Sequence, residues 1–529
     1  MISEDSEGTI RAGVHWVACH DLSGVGEPGM QTKMKCKRGR PCNFFKDEVL
    51  MNKSKPQEHR NELQGVRDSI VPLKPGNAGG GKGIRFIRSG MGHSWMVAEP
   101  LPRLRTKRAR IEQRSAENPD MVFTQLMHHF SERNLRQWFH ELRGNAATGI
   151  DDISKADYGE NLDANLKDLH QRLKAMSYRP QPVRQVWIPK DGQPNKLRPL
   201  GIGTFEGKIV EKGFQQILNA IYEPLFYDCS YGFRPKRGCH DAVKSLSIYL
   251  YNNPVEEIID LDLSNYFGTI DHELLMAILS KKIQDKRFLR YIKRLLKAGI
   301  LDKGNFSVSD EGVPQGSVAS PVLANIFAHI VLDDWFQKVV KLHCKGKVEL
   351  FRYADDAVIC CQYSQDAKRI HDVIGKRLAK YKLKLNEEKT HVVRFDRRNR
   401  KESGVFDFLG FTFYLGLSKT GRTIPKVKSS SKKLRIKLKR VNQWCKENRN
   451  QLRLRELWKA FCLKLRGHIQ YYGVSFNSHA VDWFVKRAIV LFLKWLNRRS
   501  QRRSMTFDQF KQYMSIYPAP KVRVYHKLY

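Results

Sequence analysis

"FRYADDAVIC", residues 351–360, sets two adjacent carboxylates, Asp355 and Asp356, among aromatic and apolar residues. The chain around them is heavily basic: 94 Lys and Arg against 54 Asp and Glu, a formal net charge of +40. Carboxylates this close raise each other's pKa unless positive charge sits between them. A basic side chain or a divalent metal ion can supply that charge. The flanking runs read as two strands of a hairpin with the acids at its tip. Cys360 and Cys361 then point to opposite faces of the second strand. A third carboxylate should come from a neighbouring strand. "EEIIDLDLSNYF" (256–267) is an apolar strand broken by Asp260 and Asp262. These share one strand phase, so only one need be a ligand, and Asp262 fits. An acid in such a strand is not buried without a partner. Carboxylates that gather two metal ions about 3.5–4 Å apart suit phosphoryl transfer, and magnesium prefers such oxygen ligands.

The length, 529 residues with 41% apolar, allows two to four domains and a sizeable core. The basic excess points to a polyanion as partner. Nucleic acid is favoured over membrane, because no apolar run approaches the roughly 18 residues of a bilayer span. The longest clear run, 488–493, is flanked by Lys486, Arg487 and Lys494. The start, "MISEDSEGTI", is acidic and lacks an apolar signal core, which argues against export. Ten cysteines without a CxxC or a paired His/Cys zinc pattern read as reduced thiols. Residues 421–529 hold 27 Lys and Arg against 4 Asp and Glu, more than half of the net charge in about a fifth of the chain.

Residues 1–100 hold 14 of the 37 glycines and little periodicity, which reads as a weakly folded extension. "GNAGGGKG" (76–83) imitates a phosphate-binding loop, but Gly83 stands where a Ser or Thr hydroxyl is needed and no strand precedes it. It reads as a glycine linker. From about 116 apolar residues recur at helical spacing, in "FTQLMHHFSERNLRQWFHEL" (123–142) and "NLDANLKDLHQRLKAM" (161–176). "PVRQVWIPK" (182–190) alternates as a strand, "KLRPLGIGT" (196–204) is a strand ending in a glycine turn, and "EKGFQQILNAIYEPLF" (211–226) is helical. "VPQGSVASPVLANIFAHIVLDDWF" (313–336) is a turn feeding one long helix. "DAKRIHDVIGKRLAKYKLKLNEEKT" (366–390) is a helix followed by a strand. Beyond 430 nearly everything is helical. The pattern predicts an α/β catalytic body with a basic helical appendage.

"IPKDGQPNKLRPLGI" (188–202), "DLSNYFGTIDH" (262–272), "PQGSVASPVLAN" (314–325) and "YADD" (353–356) occur in one order. "YEPLFYDCSYGFRPKRGCHDAV" (222–243), "LNEEKT" (385–390), "FDFLGFTF" (406–413), "LRGHIQYYGV" (465–474) and "FLKWLNRRSQRR" (492–503) accompany them. Together they resemble the motif blocks of group II intron reverse transcriptases, over roughly 117–529. The resemblance implies a right-hand polymerase, with fingers and palm built on mixed and antiparallel sheet and followed by an α-helical thumb and maturase domain. Its boundaries would be a poorly ordered extension over 1–115, fingers over 116–255, palm over 256–420, and thumb and maturase over 421–529. Asp262, Asp355 and Asp356 match the catalytic, metal-binding carboxylates, with the Leu263 carbonyl as a further contact for two Mg2+ ions. Arg184, Lys190 and Arg198 match residues that neutralise the triphosphate of a dNTP substrate, where basic side chains stabilise developing charge. Phe267 would block the ribose 2′-hydroxyl, Gln315 would pack with Gly316 near the nascent base pair, and Tyr353 would support the hairpin and the primer end.

The implied activity is RNA-directed DNA synthesis, together with splicing and retrohoming of the chain's own intron. The implied partners are group II intron RNA and target DNA or primer, with a homodimer compatible, in a bacterial cytoplasm near the nucleoid. Two other readings stay open: a free-standing enzyme of DNA repair or defence, and a maturase that only binds RNA as a splicing factor. Most tail tryptophans should be core, while many cations face RNA; Arg498, Arg499, Arg502 and Arg503 form the densest cluster. Gly203, Gly268 and Ser317 depart from the usual family pattern without touching a metal ligand. The tail "YPAPKVRVYHKLY" lacks the residues of the family's endonuclease module, so cutting of the second DNA strand is not expected.

Overall fold

The computed structural model describes residues 102–529 except 191–192 and 502–503, and only the backbone of 102–107, 190 and 193–196. The glycine-rich stretch at 76–83 and nearly all of the expected extension therefore lie outside the described residues. The first half of the described chain runs α1 (Pro102–Glu117), α2 (Glu132–Glu141), α3 (Lys155–Glu160), α4 (Leu162–Lys174), β1 (Val183–Lys190), β2 (Gln193–Ile202), α5 (Phe205–Tyr222) and α6 (Cys239–Asn252). It continues through β3 (Glu257–Asp262), α7 (His272–Ser280), α8 (Lys286–Leu296), β4 (Ile300–Asp302), β5 (Asn305–Ser307), α9 (Ser320–Ala328) and α10 (Lys341–His343). The rest is β6 (Val348–Tyr353), β7 (Asp356–Cys361), α11 (Ser364–Ala379), β8 (His391–Arg394), β9 (Phe406–Phe408), β10 (Phe411–Leu417), β11 (Thr423–Ser429) and four helices, α12 (Ser431–Asn448), α13 (Leu454–Tyr472), α14 (Ser478–Leu496) and α15 (Phe507–Ile516). Mixed α/β content followed by a helical block is as the pattern predicts. α1 crosses the boundary expected at 115, and it is tied to the body: buried Ser115 donates its hydroxyl to the Ile221 carbonyl at 2.5 Å.

A four-stranded antiparallel sheet in the order β6-β7-β3-β8 carries the hairpin. Both of its faces are buried. Ile259 and Leu261 of β3 join Ala357, Ile359 and Cys361 of β7 in one core, with Phe214, Phe288 and Phe327 from α5, α8 and α9. Ile258, Val358, Cys360 and Phe351 join a second core, with Phe411 and Phe413 of β10, Phe461 of α13 and Phe492 of α14. Cys360 and Cys361 thus fall on opposite faces, as the strand period requires. Two further sheets, of four and three strands, have the orders β2-β1-β4-β5 and β11-β10-β9.

Three elements differ from the reading of periodicity. The helix expected over 123–142 is broken into a single tight turn, Met127–His129, and α2. The backbone of 123–127 is committed elsewhere: Phe123 pairs with Ile283, and the Asp285 carboxylate accepts from the N–H groups of Leu126 (2.6 Å) and Met127 (3.1 Å). The long helix expected after the "PQGS" turn holds α9 but widens into π-helical segments at His329–Asp333 and Phe336–Val340. The strand expected after α11 is a turn instead: only Leu385 makes a bridge, to Leu263, and β8 begins at His391. Asn386 turns the chain there, donating its N–H to the Asp262 carbonyl (3.0 Å) while its own carbonyl accepts from Thr390 N–H (2.9 Å).

Candidate active site

Asp262 ends β3 directly opposite Asp356, the first residue of β7, which also faces Tyr353 at the end of β6. Directly opposed residues in a sheet share a face, so two acids 94 positions apart in sequence come side by side. Asp355 precedes Asp356 in the hairpin link, after Ala354, whose φ of +59° is left-handed. Asp260 lies on the same face, two residues back along β3.

This cluster is strongly acidic in a low-dielectric setting. Burial raises the Asp355 carboxyl, with Asp262 adding and Arg198 opposing. Burial pushes Asp356 up to about 7, with Asp355 and Asp262 adding and Lys433, at the start of α12, opposing. Asp260 is pushed up to about 8 by burial and then by Asp356, Asp407 and Asp262. Asp262 is 3% exposed and holds cationic charge already: its Oδ2 lies 3.1 Å from Lys389 Nζ and accepts from Asn386 Nδ2 at 2.9 Å. Among the described residues no three acidic, His or Cys side chains converge tightly enough to close a metal site as they stand. The donor set nevertheless fits a hard divalent cation. It consists of carboxylate oxygens, and a lysine ammonium already occupies one of them.

Of the two described side chains matched to triphosphate binding, Arg184 and Arg198, it is Arg198 on β2 whose charge acts on Asp355. Arg184 is held by the loop before α3: its Nη2 donates to the Thr148 carbonyl at 2.6 Å, and Nη1 lies 3.9 Å from Asp152 Oδ1. Lys190 ends β1 next to the link into β2, and its side chain lies outside the described residues. Phe267 sits in the turn after β3, edge-on to Phe233 with ring centres 6.2 Å apart; Phe233 in turn lies 6.4 Å from Tyr353. Gln315 is half-buried, and its carbonyl accepts from Gly201 N–H at 2.6 Å, which joins the "PQGS" turn to the end of β2. Gly316 has φ +108°, and a Cβ there would lie 2.6 Å from the Gly201 carbonyl, so the turn needs glycine. Leu263 is buried, with its backbone paired to Leu385. In the tail, exposed Arg498 lies 5.2 Å from the Trp495 ring centre, whereas half-buried Arg499 donates to the Leu452 carbonyl and fastens the α12–α13 loop. Arg502 and Arg503 lie outside the described residues. Trp458 and Trp495 are core, and Trp483 is exposed.

Sequence reasoning did not single out Asn386, Lys389, Phe233 or Lys433. Each acts across a long sequence separation; "LNEEKT", which holds Asn386 and Lys389, and "YEPLFYDCSYGFRPKRGCHDAV", which holds Phe233, carried a signal only as matched blocks without assigned roles.

Residues 188–413 match the reverse transcriptase (RNA-dependent DNA polymerase) family. The chain is 31% identical over 296 residues to the group II intron-encoded protein LtrA of Lactococcus lactis subsp. cremoris, covering 55% of this chain and 46% of that protein. It is 36% identical over 214 residues to protein YkfC of Escherichia coli K12, covering 40% and 55%. It is also 39% identical over 169 residues to an uncharacterized 91 kDa protein in the cob intron of Schizosaccharomyces pombe, covering 32% and 20%. The chain thus spans about half the length, or less, of the curated relatives it matches. This match and these likenesses support a reverse transcriptase of the group II intron-encoded kind over the segment 188–413.

Proposed function

We propose that the chain is an RNA-directed DNA polymerase that also binds its group II intron RNA to promote splicing and retrohoming. The observation that carries the reading is the register that sets Asp262 against Asp356, with Asp355 in the adjoining turn. In this reading residues 116–255 act as fingers, 256–420 as palm, and 421–529 as thumb and maturase domain. Asp262, Asp355 and Asp356 hold Mg2+, with the Leu263 carbonyl beside them. The bound ions supply charge stabilisation to the attacking and leaving oxygens of nucleotidyl transfer. Arg198, with Lys190 and Arg184 on the same ribbon, binds the triphosphate of the incoming dNTP. Phe267, braced by Phe233, excludes a ribose 2′-hydroxyl. Gln315 lies against the nascent base pair, and Tyr353 supports the primer end. The basic tail, Arg498 foremost among its described residues, binds phosphates of structured RNA, and aromatics stack on unpaired bases. The likeness to intron-encoded proteins supports intron RNA as the partner.

Primer extension on an RNA template tests this. Asp355→Ala should lower the rate by on the order of 10³-fold or more, since several kcal/mol of charge stabilisation are lost, with RNA binding retained. Parent-like extension by this variant overturns the assignment.

A further inference from the structure

Arg352 sits in β6 three residues before Asp355, where alternation calls for an apolar side chain. It is the largest of the fully buried side chains, 1% exposed, and its partner Asp333 is 0% exposed. Its guanidinium has all three nitrogens engaged. Nε and Nη2 donate to the two oxygens of Asp333 at 2.7 and 2.5 Å, and Nη2 also to Ser230 Oγ at 2.7 Å. Nη1 donates to Asn325 Oδ1 at 3.2 Å and to the Ala354 carbonyl at 3.0 Å. Ala354 is the left-handed residue of the link that delivers Asp355. The other side of that link is fixed by Gly232, where a Cβ would lie 2.4 Å from Ala354 N, and Asn325 Nδ2 donates to the Gly232 carbonyl at 2.6 Å. Asp333 comes from the π-helical segment after α9; such bulges recur at functional sites. A left-handed alanine is strained, and here one cation, one amide and one glycine over-determine it.

We propose that Arg352 is a positioning residue: its buried guanidinium, anchored on Asp333, holds the Ala354 carbonyl and thereby sets where Asp355 and Asp356 stand. This rests on the polymerase reading.

The test separates positioning from stability. A buried ion pair replaced by an apolar pair of similar volume often keeps its stability, whereas breaking one partner does not. The double variant Arg352→Met/Asp333→Leu should therefore recover a Tm within about 3 °C of the parent, above Arg352→Met alone. Its kcat in primer extension on an RNA template should still be about 10²-fold low, because displacement of about 1 Å costs that much. Its Mg2+ requirement should rise, with the KM for dNTP nearly unchanged. Recovery of Tm, kcat and Mg2+ requirement together would overturn the proposal. Should the double variant fail to fold, Arg352→Lys decides: one ammonium cannot serve both Asp333 and the Ala354 carbonyl, so kcat and Mg2+ requirement should shift likewise, and parent-like values refute the role. An inactive parent would bring down the polymerase reading alone. The rise in Tm on adding Mg2+, lost in Arg352→Lys if Arg352 positions the acids and kept if it does not, would still decide this one.

Discussion

Single residues in this protein are set by what lies across the sheet from them. Asp355, Asp356 and Asp262 stand out in the sequence because carboxylates in apolar strands demand compensation. What compensates them does not stand out: Lys389 and Asn386 come from a turn that looks like a strand, and Lys433 from the head of a helix. Lys437, one turn further along α12, is half-buried. Burial, aided by Lys433, pushes its ammonium down to about 8, with the Tyr472 ring centre 4.4 Å away. Between that value and the ordinary lysine pKa of 10.5 the folded state binds fewer protons here than the unfolded chain. Stability from this site therefore rises with pH across that window. The Tm of the parent relative to Lys437→Met should increase from about pH 7.5 to about pH 10. A difference that stays constant contradicts the burial of this charge.

Secondary elements depart from the sequence pattern where a distant polar group claims their backbone. Apolar spacing over 123–142 favours one helix, yet Asp285 takes the N–H groups of Leu126 and Met127 while also capping α8 through Arg287 N–H (3.0 Å) and Phe288 N–H (3.1 Å). One carboxylate satisfies four donors. Asp285→Ala should therefore cost about 2–3 kcal/mol, the sum of a lost cap and stranded donors. Amide exchange should quicken at both 126–127 and the start of α8. Exchange changing only at α8 would show that the break has another cause. Hydrophobic period identifies helices and strands well here, because most are amphipathic. It could not register the π-helical widening after α9, since Leu332 and Phe336, four positions apart, are buried just as in a regular helix.

At the scale of the molecule, one sheet divides two cores and fixes the site at the end of its two central strands. The charge bias toward the tail was plain in composition, but which of its cations stay exposed was not: Arg499 proved to be a staple and Arg498 an exposed cation. Among the described residues no helix is long and apolar enough to cross a membrane, consistent with the short apolar runs in the sequence. The acids converge because β3 and β7 pair in a single register, and a slip by one residue would turn Asp262 to the other face. The proposed chemistry therefore turns on whether that register builds a cation site. Crystals of the chain with primer, RNA template and dNTP, soaked in Mn2+, test this through anomalous scattering. The predicted result is a peak bridging the carboxylates of Asp262 and Asp355; strong peaks elsewhere, with none between these two residues, would contradict it.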